Sequence, residues 1–392
     1  MYTLLTNKSI TNGLYYGPRT YSIINNKIGS IKTAEDSAAS PNNSQTIIDL
    51  RSLTVLPGLI DIHTHGCIGF DVMNATPEEI NKISIHKLKE GVTSFFPSTV
   101  TAPLDATAQA IRNIKQAMNN GLSGANILGV LLEGPYMNPI YKGAHVEEYI
   151  QSIICLDELI AFVKNTKQII PGGNISITLA PELPNAIEAI TTLSAMGINC
   201  CLGHSAATFE EAKAGVEAGA KIATHTYNAM SPLQHRSPGM VGAILTLDNI
   251  FAEIICDLVH VHPAAIKLAV KAKGPEGIVL VTDAAAPAGL PDGEYTLGEI
   301  QITKTNGIAR TPEGALASSS IGLIDCVRNM HKTVGIPLAD AVTMATASPA
   351  RAVGQYATHG SLEENKTADI IAIDDDFNVK FVMVDGIIKH KE

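Results

Sequence analysis

The chain has 392 residues, of which 45% are hydrophobic and 17% charged, with no tryptophan and a formal net charge of −10. The acidic balance argues against a nucleic-acid or anionic-membrane partner. At ~100–200 residues per domain, the length allows two domains or one large α/β barrel with an appendage. The start, MYTLLTNKSITNGLYYG, lacks the basic leader and long apolar core of a signal peptide, and no apolar run reaches the ~20 residues that cross a bilayer. A cytoplasmic location is therefore expected.

Residues 1 to about 55 read as short β pieces, such as YSIINNKIGSIKTA and QTIIDL, around a Ser/Asn/Pro loop, EDSAASPNNSQ. From Thr54 the rhythm changes to apolar strands, most of them followed by an amphipathic helix. The strands are TVLPGLIDIH, VTSFFPS, NILGVLLEG, NISITLAPE, INCCLGH, AKIATHT, FAEIICDLVH and GIVLVTDA. The helices IGLIDCVRNMHKTVG and LADAVTMATASPARAVG follow the eighth strand, and the tail GSLEENKTADIIAIDDDFNVKFVMVDGIIKHKE returns to strands. Eight βα steps with no Gly-rich dinucleotide turn after the first strand favour an α/β fold of the (β/α)8 TIM-barrel type over an open doubly wound sheet. The barrel is expected over 56–355. Residues 1–55 and 356–392 are alike in kind and are expected to pair as a small β-sandwich beside it. The cysteines Cys67, Cys155, Cys200, Cys201, Cys256 and Cys326 have no Cys-x-x-Cys spacing, and two are adjacent, which suits neither a disulfide framework nor a sulfur-ligated zinc. They read as small buried apolar residues.

Barrel enzymes work at the C-terminal ends of their strands, and titratable residues collect there. Strand one ends in Asp61, His63 and His65, strand three in Glu133, strand five in His204, strand six in His225 and strand eight in Asp283. An isolated His-x-His could simply close a strand by bonding to backbone. Five strands ending in imidazoles and carboxylates instead supply the donors that Zn²⁺ and similar divalent ions take.

This set resembles that of the amidohydrolase superfamily. More closely, LEGPYMNPIYKGAH, GHSAATFEEAKAGVEAGAKIATHTYNAMSPLQHRSPGMVGAIL and VTDAAAPAGLPDGEY resemble the N-acetylglucosamine-6-phosphate deacetylases, with the match running in order from about Leu56 to Gly354. The resemblance implies hydrolysis of N-acetylglucosamine 6-phosphate to glucosamine 6-phosphate and acetate. By the same carry-over Glu133, His204 and His225 hold the principal metal, Asp283 is the catalytic acid/base and His145 polarises the acetyl carbonyl. Some members lack the first-strand pair and use one metal. This chain keeps His63 and His65, so it is expected to take one or two divalent ions, Zn²⁺ first, with Fe²⁺ or another transition metal as alternatives.

The resemblance further places Ala144, Asn228, Ala229, Arg236, His260 and the segment Leu316, Ala317, Ser318, Ser319 at the sugar phosphate. Arg236 suits the phosphate because a guanidinium fork pairs bidentately with its oxygens. In related enzymes this arginine reaches a neighbouring subunit's site, so a homodimer is expected. The chain departs from its relatives at Ser318, where Gly is common, and within TDAAAPAGL, which bears on sugar preference. Two other readings remain: a sister enzyme acting on N-acetylgalactosamine 6-phosphate or another N-acyl substrate, and a non-catalytic sugar-phosphate binder. The complete metal and acid/base set argues against the binder.

Overall fold

The computed structural model describes residues 2–33 and 46–392, so the loop expected at EDSAASPNNSQ lies outside the described residues. Eight parallel strands form the barrel: β1 (Leu59–Thr64), β2 (Val92–Thr99), β3 (Val130–Leu132), β4 (Ile175–Leu179), β5 (Asn199–Leu202), β6 (Ile222–Ala223), β7 (Phe251–Ile255) and β8 (Ile278–Val281). Each pairs in parallel with the next. A parallel bridge between Thr64 and Ala284, with the Asp283 N–H donating to the His63 carbonyl at 2.9 Å, joins the last strand to the first.

Alternation along the strands sorts side chains into two layers. Ile60, Ile62, Phe96, Leu131, Cys201, Ile222, Ile255, Val279 and Val281 fill the barrel. Leu59, Cys200, Leu202 and Leu280 face outward against helix residues such as Ile80, Ile83 and Ile111. The adjacent Cys200 and Cys201 thus belong to opposite faces of one strand. The helices are α1 (Pro77–Lys89), α2 (Leu104–Asn120), α3 (Leu156–Ile169), α4 (Ala186–Ala195), α5 (Phe209–Glu217), α6 (Gly239–Thr246), α7 (Pro263–Lys273) and α8 (Leu323–Lys332). Capping boxes start two of them, Thr76 with Glu79 and Thr208 with Glu211, each satisfying two backbone donors that the helix itself cannot. No helix among the described residues is long and apolar enough to cross a membrane.

Strands from both chain ends build the expected β-sandwich. One sheet has six strands, including Lys8–Thr11, Thr54–Pro57, Ile370–Ile373 and Val379–Val384, and the other has four, including Tyr2–Thr6 and Arg19–Ile24. Leu4, Tyr21, Ile23, Val55, Ile370, Phe381 and Met383 form the core between them.

Five details differ from the sequence reading. The run TVLPGLIDIH is two strands: Thr54–Pro57 pairs with Lys8–Thr11 and Ile370–Ile373, and only Leu59–Thr64 enters the barrel. Gly58 is the crossing point, where an added Cβ would lie 2.1 Å from Thr93 Oγ1. Helix α6 was not anticipated because Gly239 to Leu245 are all buried, which erases the amphipathic signal. The segment before α8 forms a four-stranded antiparallel sheet, Gly293–Leu297, Ile300–Thr305, Ile308–Arg310 and Leu316–Ser318. Its Asn306-Gly307 turn, with φ of 52° and 79°, is the hairpin signal that marks it in the sequence. The last expected helix is broken into Leu338–Met344 and Ala347–Ala352, since Pro349 cannot donate and fits only a first turn. Finally, Cys155 is exposed at the start of α3, while the other five cysteines are buried.

Candidate metal centre and active site

The strands end in unusual backbone. His204, His225 and Asp283 have φ of 49°, 29° and 47°, a left-handed conformation that L-residues seldom adopt and that turns each side chain into the barrel mouth. On β1 a register shift opposite Phe95 and Pro97 breaks the strict alternation. Ile60 and Ile62 therefore point inward and yet His63 does too. Asp61 faces away from the centre, where its carboxylate takes the Lys87 ammonium at 3.1 Å and the Thr282 hydroxyl at 2.7 Å. It is a buried structural ion pair and not a ligand.

Glu133 occupies the middle of the site. Its Oε1 lies 3.2 Å from His204 Nε2 and 3.1 Å from His225 Nε2, and its Oε2 lies 3.1 Å from His65 Nε2 and 3.6 Å from His63 Nε2. Two groups, His63, His65, Glu133 and Glu133, His204, His225, each bring their donor atoms within 4.8 Å of one another. Asp283 Oδ1 sits 3.2 Å from His65 Nε2 and 3.5 Å from His63 Nε2.

Partners on the outer ring nitrogens decide which atom each histidine offers. Nδ1 of His63 meets Glu253 Oε2 at 3.1 Å, Nδ1 of His65 meets the Ser98 carbonyl at 3.2 Å and Nδ1 of His204 meets the Tyr141 carbonyl at 2.8 Å. Each of these bonds needs a proton on Nδ1, which leaves the Nε2 lone pair directed inward. His63 and His65 then face each other Nε2 to Nε2 at 3.2 Å, and His204 and His225 at 3.0 Å. The opposed lone pairs of His63 and His65 repel at that distance unless a cation lies beside them. The donor set thus fits a divalent ion in each group, with Glu133 shared.

Without an ion the same atoms compete for protons. Burial disfavours charge on Glu133, but His63 and hydrogen bonds from His145, His204 and His225 hold its carboxyl well below the usual range. Burial likewise opposes ionisation of Asp283, and the charge on His63 and His65 outweighs it, holding the group at about 2. Burial also weighs on His65, yet Asp283 and Glu133 raise it to about 9, whereas burial drives His204 down to about 4.

His145 differs from the ligands. Its Nδ1 accepts the Thr101 N–H at 3.2 Å, so the neutral ring carries its proton on Nε2, which faces Glu133 Oε2 at 3.5 Å and the cavity. The cavity above the centre is lined by His65, Glu133, His145, His204, His225 and Asp283, and around them by Ala144, Asn228, Ala229, His260, Leu316 and Ala317. His260 is fixed by Asp257, whose Oδ2 takes its Nδ1 at 2.6 Å.

Three expected substrate residues lie elsewhere. Ser318 and Ser319 are buried and absent from this cavity's lining, facing a neighbouring pocket that shares His260, with Ser319 donating its backbone N–H to the Asp283 carbonyl at 2.9 Å. Ser319 thus holds the strand end in place. Arg236 stands in a wholly exposed stretch, 232–237, away from the cavity lining of its own chain. Sequence reasoning passed over Glu253, Val100 and Leu297. For Glu253 the available signal was a carboxylate inside the otherwise apolar strand FAEIIC.

Residues 54–388 match the model of the Amidohydrolase family. The chain is 42% identical over 332 residues to an N-acetylgalactosamine-6-phosphate deacetylase of Escherichia coli O157:H7, covering 84% of this chain and 86% of that one. It is 40% identical over 341 residues to an N-acetylglucosamine-6-phosphate deacetylase of Vibrio furnissii, covering 86% and 84%. The crystal structure of N-acetylglucosamine-6-phosphate deacetylase from Pasteurella multocida superimposes over 100% of both chains with a TM-score of 0.91 at 32% identity. With its barrel, its strand-end donor set and these relatives, the chain belongs to the amidohydrolase family.

Proposed function

We propose that the protein hydrolyses the acetamide of N-acetylglucosamine 6-phosphate, releasing acetate and glucosamine 6-phosphate. The observation that carries this reading is the shared carboxylate of Glu133 between two histidine pairs, with Asp283 and the His145 Nε2–H facing the same cavity. Zn²⁺ or Fe²⁺ suits the imidazole and carboxylate donors, with Glu133, His204 and His225 holding the principal ion and His63, His65 and Glu133 a second. When bound, such an ion supplies Lewis acidity and brings the pKa of water from ~15.7 towards ~7.

The chain's own residues do the remaining work. Asp283 takes the proton of the attacking water as its oxygen bonds to the acetyl carbon. The His145 Nε2–H donates to the carbonyl oxygen as negative charge grows there. Asp283 then delivers its proton to the amine nitrogen as the C–N bond breaks, so the water is divided between acetate and the free amine. Ala144, Asn228, Ala229, His260, Leu316 and Ala317 hold the sugar phosphate, and the buried Ser318 and Ser319 adjoin them. Arg236, exposed and absent from the lining of its own cavity, serves the phosphate in the site of a second copy, making a homodimer the working form. Free, mostly buried thiols suit work in a reducing cytoplasm.

The identity of 42% to an N-acetylgalactosamine-6-phosphate deacetylase favours a second reading, in which the galactose epimer is the preferred substrate. Steady-state kinetics on both epimers distinguish them. A higher kcat/KM for N-acetylglucosamine 6-phosphate supports the first reading, a higher value for its epimer supports the second, and no acetate from either overturns both.

A further inference from the structure

The four histidines of the centre are not held alike. His65 and His204 lean on backbone carbonyls and His225 Nδ1 is buried with no partner, but His63 has a carboxylate, Glu253, on its outer nitrogen. Glu253 lies on β7 and is 1% exposed. The same Oε2 that meets His63 also accepts the backbone N–H of His225 at 3.1 Å, so one carboxylate grips a residue from each histidine pair. Among the described residues no Lys or Arg pairs with it, and His63 is its one ionic neighbour. A carboxylate buried so deeply costs stability unless an opposite charge compensates it. The centre needs that charge: two divalent ions bring four positive charges, while Glu133 and Asp283 supply two negative ones beside them.

We propose that Glu253 is a positioning residue for the second cation. It fixes His63 with Nε2 free and adds the negative charge that lets His63, His65 and Glu133 retain an ion next to the one at Glu133, His204 and His225. This rests on the two-cation reading of the centre. Glu253→Gln keeps a hydrogen-bond acceptor of the same shape and removes the charge, whereas Glu253→Asp keeps the charge and withdraws it from His63.

The test is a titration of the metal-free full-length protein with Zn²⁺, read by calorimetry and by elemental analysis after dialysis, for the wild type and both variants. The wild type should retain two ions per chain. Both variants should bind the second ion about 10–100-fold more weakly, the usual effect of losing an outer-shell partner, and the first ion with a distinctly smaller loss, through the His225 backbone contact alone. Melting of the metal-free variants checks their folding, and if Glu253→Gln does not fold, Glu253→Asp decides. Two ions held with wild-type affinity in the variants, or both ions weakened equally, would overturn the proposal. A wild type that holds a single ion would instead overturn the two-cation reading beneath it.

Discussion

Glu133 and Arg236 stand at opposite extremes. Glu133 is 2% exposed, ends a barrel strand and lies within 3.2 Å of three imidazole nitrogens, whereas Arg236 projects from an exposed loop. The first is locked by the closure of the barrel, which fixes eight strand ends relative to one another and needs no other molecule. The second has no such frame in its own chain. Chemistry and recognition are thereby separated: floor residues should govern the chemical step, and rim residues should govern how tightly the phosphate is held.

The largest effect is expected on the floor. Asp283→Asn keeps the shape and removes the proton acceptor, so turnover should fall by about 10²–10⁴ with KM little changed. Rates in pre-steady state at matched metal content check this, and near wild-type turnover would assign the proton to another group. His145→Ala removes a donor to the carbonyl oxygen and should cost about 10²–10³ in kcat, with metal content unaltered. An equal loss of metal would instead make His145 a ligand.

On the rim, Arg236→Ala should cost about 10–150-fold in apparent affinity for the phosphorylated sugar, the equivalent of about 1.5–3 kcal/mol for a charge-assisted bond. The loss should shrink for unphosphorylated N-acetylglucosamine, and an equal loss on both would point to a disrupted loop. Mixed dimers of Arg236→Ala and Asp283→Asn chains sharpen the comparison further. If the arginine acts across the interface, hybrids regain one intact site; verified hybrids without recovered activity would put Arg236 and Asp283 in one chain.

The smallest effect concerns pH. In the metal-free protein His65 carries its proton up to about pH 9, and an ion must displace that proton to reach Nε2. His63 is raised as well, so affinity on the His63/His65 side should rise with pH, by about tenfold per unit for each proton released, throughout the range below pH 9. Proton release measured in two buffers of different ionisation enthalpy reads the number directly. No release at pH 7 would mean His65 is already neutral.

The floor was legible in the sequence because parallel strands declare themselves as apolar runs, and the fold dictates that their C-terminal ends converge. His63, His65, Glu133, His204, His225 and Asp283 all close such runs. Asp61 closes the same run as His63, but a register shift after Asp61, invisible to alternation, turns His63 inward while Asp61 stays on the outer face beside Lys87. Glu253 was hidden for the opposite reason, sitting within a strand and acting through another side chain. The rim was less legible. The sheet at 293–318 brings Leu316 and Ala317 to the cavity, while Ser318 at its end and Ser319 just beyond it are buried, a distinction that depends on how that sheet folds over the barrel.

Product analysis at controlled metal content decides whether the centre carries out metal-dependent deacetylation. Metal-replete protein given N-acetylglucosamine 6-phosphate should release acetate and glucosamine 6-phosphate in equal amounts, lose that activity on chelation and recover it when Zn²⁺ is restored. Full turnover in protein stripped of metal, or no acetate from the metal-replete protein, would contradict the account.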